Sequence, residues 1–474
     1  MTLRHQSAGL LGWEGTTIAS ISESSPQGLF AIDLIASLPD FISALTRGYE
    51  LGRSATAVRS NGTICRAIEA LYPELPPLPG FVAREIQRFR AGTPFVLIAH
   101  QPVLFPYEAV VLNYVLLQAV ADLVQPTPCI VHLIMDTDGA DERAFHRVKY
   151  PTASTRLGFI TLSAELGTHW TGWTCNALQA PRQDRLATIL DEIASATRRE
   201  WRTANGRRFE PDLLDQLRGA LLGANVRGHL FTTFMISVMA EYAWHHLNIP
   251  VLFVRYSEIL RNSGASVEEL VSKRQEYHAL LCSAEGSVAT TPRLVPESPD
   301  QLFWIHCSRC WTRSAFTTSP KAEHACSYHS HSDRRGASIK QATSLSVVPK
   351  VLIEDIFIRT CLKPLAMVNY RGGHAHAAIA TAALDALGQP QPPTLTWGSG
   401  WMSDGPVEVI HSRGVATPGG QSALGLIQSG RASMLYAWLH ATAEAKRGYL
   451  RGILQGVAAT PSAPSSPRAQ KVGD

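Results

Sequence analysis

The chain has 474 residues, 45% of them hydrophobic and 17% charged, with a formal net charge of +4. That is enough chain for two or three domains and a large core, and the small positive charge argues against nucleic acid or an anionic membrane surface as partner. No apolar run reaches the roughly 18 to 20 residues a membrane helix needs, and no basic-then-apolar leader is read, so a soluble cytoplasmic protein is expected.

Residues 1–75 read as an N-terminal helical lead-in, with a helix over 31–48. The stretch PELPPLP at 73–79 reads as a stiff linker, because proline fixes φ and cannot continue a helix. The first part of an α/β core is expected over 76–284. It opens with an amphipathic helix at 81–90 and a short apolar strand, PFVLIA, at 94–99. His100-Gln101-Pro102 follows that strand, and 105–124 reads as a largely apolar helix. A second buried strand, CIVHLIM at 129–135, ends on Asp136-Thr137-Asp138-Gly139. Strand, loop, helix, strand is a βαβ unit, whose strands pair in parallel. Helices are expected at 211–222, 229–247 and 267–281, and a third buried strand, PVLFVRY, at 250–256.

From 285 to 345 the composition turns to Ser, Thr, Pro, Cys and His, and this stretch reads as an insert. Cys307, Cys310, Cys326 and His329 there have the spacing C-x2-C-x15-C-x2-H. Two knuckles, each delivering two ligands, suit a tetrahedral zinc ion. His306, His324 and His331 crowd the same stretch and are alternative fourth ligands, and this surplus of histidines points to a closed, structural site. Cys65, Cys129, Cys175, Cys282 and Cys361 are scattered in apolar surroundings and read as small buried hydrophobes, which fits a reducing compartment. The second part of the core is expected over 346–400, with a strand, LAMVNY, at 365–370. Arg371-Gly372-Gly373-His374 follows it, then a helix at 375–387. A helical region over 401–457 and a disordered Pro/Ser/Ala-rich tail over 458–474 complete the chain.

The chemistry is expected at strand ends. In α/β sheets ligands gather at the carboxyl ends of the strands. His100 there can act as acid or base, and the loop amides beside it can hold an anion. Asp136 and Asp138, with Asp141 and Glu142 beyond them, can hold a magnesium-nucleotide or serve as base. Arg371 with Gly372 and Gly373 can approach and bind an anionic group. The chain has no Walker-type phosphate loop and no Gly-x-Ser-x-Gly elbow.

In their order, these pieces resemble the bacillithiol biosynthesis cysteine-adding enzyme family. Ala99-His100-Gln101-Pro102-Val103-Leu104-Phe105-Pro106-Tyr107 is similar to that family's GQQPGLFGGPLY stretch. Met135-Asp136-Thr137-Asp138-Gly139-Ala140-Asp141-Glu142 is similar to its EDHD-like cluster. Asn369-Tyr370-Arg371-Gly372-Gly373-His374-Ala375-His376 is similar to its GGPxE turn, with PQPPTL at 390–395 downstream like its Pro-containing strand. The likeness spans roughly 90–400. His100 stands where the family has Gln or Gly, Asn113 and Tyr114 lie near the place of its lysine, and His376 stands where it has glutamate. The zinc-type insert is not a feature of the typical member, and the C-terminal region is too short for its long coiled coil.

The resemblance implies a Rossmann-like core and a ligase-like enzyme. Such an enzyme forms a C–N (amide) bond between an amino acid, cysteine in the family, and a small acceptor, and ATP or ADP binds with magnesium. It places His100, Asp136 and Asp138 in catalysis and Gln101, Asn113, Asp141, Arg371, Gly372, Gly373, His374 and His376 around the substrate. A homodimer or a carrier-protein partner is compatible with it. A nucleotidyl- or other group-transferase using the same cleft, and a non-catalytic scaffold docking through its zinc module, are the alternatives.

Overall fold

A computed structural model of the chain describes residues 56–102, 114, 117–118, 121, 127–138, 147–150, 158–161, 174–177, 184–185, 187–188, 191–192, 195, 222–223, 231–246, 248–287, 294–307, 313–316, 323–325, 332–334, 345–370, 374–389, 392 and 394–397. The expected helix at 31–48, nearly all of those at 105–124 and 211–222, and the whole of 401–474 lie outside the described residues.

Five strands make a wholly parallel sheet: β1 (Phe95–His100), β2 (Cys129–Ile134), β5 (Val251–Arg255), β11 (Ala366–Tyr370) and β12 (Thr394–Trp397). Their spatial order is β12-β11-β1-β2-β5. The register aligns Ile98 with Val368 on one side and His132 on the other, and His132 with Phe253. β1, β2 and β5 are near-continuous apolar runs because a parallel sheet is covered on both faces. The protein is therefore an α/β fold, and the four strands expected at 94–99, 129–135, 250–256 and 365–370 are all present.

Alternation of side chains along each strand separates the two faces. Phe95 on one face meets Phe89 of α2 (Gly80–Arg90), with ring centroids 5.5 Å apart. His132 and Phe253 on the other face meet Tyr114, at 5.5 and 6.2 Å. The segment between β1 and β2 thus covers one face and α2 the other. β5 is an edge strand, and side chains satisfy its open backbone. The Phe253 N–H donates to the Tyr72 hydroxyl (3.0 Å), and Trp244 Nε1–H donates to the Val251 carbonyl (2.9 Å). Trp244 belongs to a π-turn, Tyr242–His246, that continues α3 (Phe231–Glu241).

Of the residues read as a lead-in and linker, 56–79 are described and are built into this core. α1 (Thr56–Leu71) packs on β5 and α2, and Tyr72 and Leu75, inside or beside the proline-rich stretch, are buried. Asn61 on α1 donates to the carbonyls of Phe89 and Thr93 (3.0 and 3.2 Å), tying α1 to the turn that enters β1. The helix expected at 267–281 is instead two, α5 (Gly264–Ser272) and α6 (Arg274–Ser287), preceded by the short α4 (Tyr256–Arg261). Lys273 caps α5, and α6 starts afresh at Arg274.

The insert is antiparallel. β6 (Phe303–Cys307) lies between β10 (Leu345–Pro349) and β7 (Arg313–Ala315), and β8 (Glu323–Ala325) pairs with β9 (Ser332–Arg334). A further hairpin joins β3 (Arg147–Tyr150) and β4 (Gly158–Thr161). Phe303 and Ile305 of the insert, with Val347 and Val348 just past it, join the same hydrophobic core as the parallel sheet. The chain then returns through α7 (Val351–Phe357) and a π-turn, Ile358–Leu362, closed by Lys363 in the left-handed region (φ 48°) just before Pro364. After β11 comes α8 (His374–Ala386). No helix among the described residues is long and apolar enough to cross a membrane.

Candidate functional site

The order β12-β11-β1-β2-β5 reverses direction between β1 and β11, because the chain builds outward from β1 to β2 and β5 and then returns to the other side. Such a reversal leaves a crevice outside the carboxyl ends of the two strands. His100 ends β1, and Tyr370, followed in sequence by Arg371, ends β11. His374 opens α8 immediately after the Gly372-Gly373 pair. Arg371, Gly372, Gly373, Asn113 and Asp141 lie outside the described residues.

Around the β1 and β2 ends the geometry is well defined. The Met135 N–H donates to the His100 carbonyl (2.9 Å), which extends the parallel ladder by one step. Gln101 Nε2 donates to Asp138 Oδ2 at 2.8 Å, so two residues picked out by position are in direct contact. The His100 ring is half-buried, and its Nδ1 lies 2.6 Å from the Gln101 carbonyl. Only a protonated Nδ1 can donate there, so in the neutral ring Nε2 carries the lone pair. Burial pulls the His100 pKa below its ordinary value, against the pull of that hydrogen bond, and so favours the neutral ring.

Asp136 has a different setting from its neighbour. It is fully buried and accepts three hydrogen bonds. The Ser257 N–H (2.8 Å) reaches Oδ1, while the Ser257 hydroxyl (2.6 Å) and Asn176 Nδ2 (2.8 Å) reach Oδ2. Burial pushes its pKa up, and these donors together with the Arg255 charge pull it back. The carboxylate ties the end of β2 to the first turn of α4 and to the 3-10 turn Cys175–Ala177. Among the acidic residues expected to do chemistry, Asp136 is thus a brace, and Asp138 is the one held against Gln101.

Several groups at this end carried no signal in the reading of single motifs. Glu354, on α7, is a half-buried carboxyl whose pKa burial, Asp138 and Asp355 all raise well above the ordinary value. Asp355 beside it is raised to about 6 by burial, opposed by Arg359 one turn on. Tyr256 is fully buried, and its hydroxyl has no hydrogen-bond partner among the described residues. The available signal was VLIEDIFI at 351–358: two adjacent acids inside an otherwise apolar helix are costly unless something uses them. His376, in the first turn of α8, is half-buried, and its Nδ1 has no partner among the described residues.

The zinc-type residues lie elsewhere. Cys307 is the last residue of β6, and Cys310 falls in the connection to β7. Cys326 and His329 fall in the connection between β8 and β9. Each knuckle therefore spans the link of an antiparallel hairpin. Cys310, Cys326, His329 and His331 are outside the described residues, and His324 is the middle residue of β8. No group of three or more His, Cys, Asp or Glu that could hold a metal occurs among the described residues. His306 is fully buried with neither ring nitrogen hydrogen-bonded among the described residues, and burial together with Arg313 lowers its pKa to about 3. Cys65, Cys129, Cys175, Cys282 and Cys361 are free thiols, buried or half-buried, as the sequence predicts.

Two measurements test this electrostatic picture. Asp136→Ala leaves Ser257 and Asn176 without their acceptor, and a loss of about 3 kcal/mol is expected in denaturant unfolding. Asp355→Asn alters the pH dependence instead. Because the folded-state pKa is raised to about 6 from 3.8, the stability this group brings is complete below about pH 4 and is lost as the pH rises through 6. The Asp355→Asn variant therefore gains stability relative to wild type between about pH 4 and 7, read as a relative rise in urea midpoint. In comparisons with known proteins, no family model and no curated protein matches the chain.

Proposed function

We propose that this chain is a ligase-like enzyme that forms an amide bond between an amino acid, with cysteine the first candidate, and a small acceptor. It would be a divergent relative of the bacillithiol cysteine-adding enzymes. The observation that carries the reading is the contact of Gln101 with Asp138 beside the β1/β11 crevice. Numbered along the chain, the sheet runs 5-4-1-2-3, which supports a Rossmann-like core. Two of the three motifs behind the resemblance flank the strand reversal, and the third ends the neighbouring β2.

Amide formation needs a carboxyl made electrophilic, an amine freed of its proton and a site that holds both together. ATP with magnesium, as a co-substrate, would supply the activation by turning one carboxyl oxygen into a leaving group. The backbone N–H groups after β1, with Arg371 and the two glycines after β11, are the groups that would hold its phosphates. His100, neutral and presenting Nε2 as an acceptor, serves as a hydrogen-bonding or basic group at the reacting centre. Asp138 fixes the Gln101 amide and contributes negative charge. The substrates are small molecules, with neither nucleic acid nor membrane as partner, and the free thiols fit a cytoplasmic setting.

The reading is tested by incubating the purified full chain with ATP, amino acids and amino sugars and following amide products by mass spectrometry. Wild type should yield an ATP-dependent amide, and Asp138→Ala should lower its rate at least ~100-fold. Absence of nucleotide binding, with no effect of Asp138→Ala on any product, would sink it.

We further propose a structural zinc in the insert, held by Cys307, Cys310, Cys326 and His329. Placement of both knuckles on hairpin connections supports it, since that is how a zinc ribbon presents its ligands. The module would cover the cleft or dock a partner such as a carrier protein. Elemental analysis should find stoichiometric zinc in wild type and little in Cys307→Ser. The variant should also show early proteolytic cleavage within 285–345.

A further inference from the structure

Three acidic or phenolic groups from distant parts of the chain converge beyond the ends of β2 and β5. Asp138 lies two residues past the brace formed by Asp136. Tyr256 directly follows β5 and precedes Ser257, which that brace holds. Glu354 stands three residues before Phe357 on α7, so the two share a helix face. The Phe357 ring meets the Tyr256 ring at 5.9 Å, which turns that face toward Tyr256. Electrostatics give the same proximity, since Asp138 and Glu354 both act on Tyr256 and Asp138 acts on Glu354. Tyr256 is buried with its hydroxyl unsatisfied among the described residues, a costly state unless a ligand completes it. Among the described residues the charges acting on Glu354 are all negative, and none donates a hydrogen bond to its carboxyl.

What the described residues leave open at Glu354 and Tyr256 is a positive charge with donor hydrogens. Glu354 and Asp138 form no group of three or more His, Cys, Asp or Glu that could hold a metal ion among the described residues, so they are a poor divalent-metal shell. An ammonium group, with one charge and three donors, fits them.

We propose that Glu354, Asp138 and Tyr256 form a subsite for a primary ammonium group and that Glu354 takes a proton from it. This rests on the amide-forming reading above. The cation offsets the repulsion between the carboxyls, so both ionise when it binds. Glu354, whose proton affinity burial and the neighbouring carboxylates raise, then receives the proton. One N–H bond breaks and one O–H bond forms on Glu354. The freed nitrogen lone pair makes the C–N bond, the activated carboxyl's leaving group departs with the C–O electron pair, and that leaving group carries off the nitrogen's second proton, which leaves a neutral amide. Glu354 is thereby a catalytic residue.

The test is calorimetric titration of the full chain with L-cysteine and with D-glucosamine, each against its N-acetyl counterpart, in two buffers of different ionisation enthalpy. Wild type should bind at least one free amine, release a proton on binding, and ignore the acetylated form. Glu354→Gln, isosteric with the protonated acid, should bind that amine at least about tenfold more weakly and without proton release. Asp138→Asn serves the same purpose if Glu354→Gln fails to melt like wild type. Failure of both amines to bind wild type, or equal binding and equal proton release in the variant, would overturn the subsite. Glu354-dependent amine binding without any amide product would unseat the ligase reading and leave the subsite standing.

Discussion

Five parallel strands can be buried only if the segments that join them cover both faces, because each connection must carry the chain back to the starting end. That constraint organises the molecule. It places α2 against Phe95 on one face and the Tyr114 segment against His132 and Phe253 on the other. It also forces polar groups inside the sheet to find local partners. His132, in the middle of β2, has Nδ1 2.6 Å from the Tyr114 hydroxyl, and burial holds the ring neutral. At the β5 edge, Tyr72 and Trp244 take the bonds that a sixth strand would have made. The antiparallel insert leans Phe303 and Ile305 into the same core, so its base is bound to the sheet whatever its outer hairpins hold.

The same constraint leaves one end of the sheet for chemistry and makes it need bracing. Strand ends are held together there by charge rather than by apolar packing. Arg255, nearly buried at the end of β5, lies 3.5 Å from Glu74 and 3.8 Å from Glu258 and donates to Thr233 (3.2 Å). Arg261 covers Glu258 at 2.8 Å. Arg255 and Glu258 are both buried, so breaking one leaves the other uncompensated, and the pair rigidifies the floor under Tyr256 and Ser257. A rigid floor holds the proposed site in one geometry, which the proposed positioning of substrates would require.

How far the sequence discloses this depends on the range of each interaction. β1, β2, β5 and β11 were legible because burial on both faces writes an unbroken apolar run into a short stretch of chain. Their spatial order was not, since β11 joins β1 only after a return past α7 that no local pattern encodes. Asp136 and Asp138 looked alike in sequence, because what separates them lies far along the chain: Asn176 is 40 residues away and Ser257 is 121. The break at Lys273 has neither Gly nor Pro to mark it, so α5 and α6 read as one helix. Glu354 was hidden because its segment, VLIEDIFI at 351–358, is otherwise apolar apart from Asp355. The C-x2-C and C-x2-H pairs were plain as spacings, while the hairpins that carry them required pairing information.

Two adjacent acids on α7 show why residue type alone does not assign a role. Asp355 has Arg359 one helical turn ahead, an i,i+4 arrangement in which the cation pulls its pKa down against burial. Arg359 in turn donates to Thr394 at the start of β12 and draws on the charge of Asp385. Asp355 is therefore part of the structure's own charge balance. Glu354, one residue earlier, projects about 100° around the helix, and every charge acting on it among the described residues is negative, Asp138 first. Among the described residues the fold gives Asp355 a cation and gives Glu354 none, and the proposed ammonium subsite rests on that asymmetry.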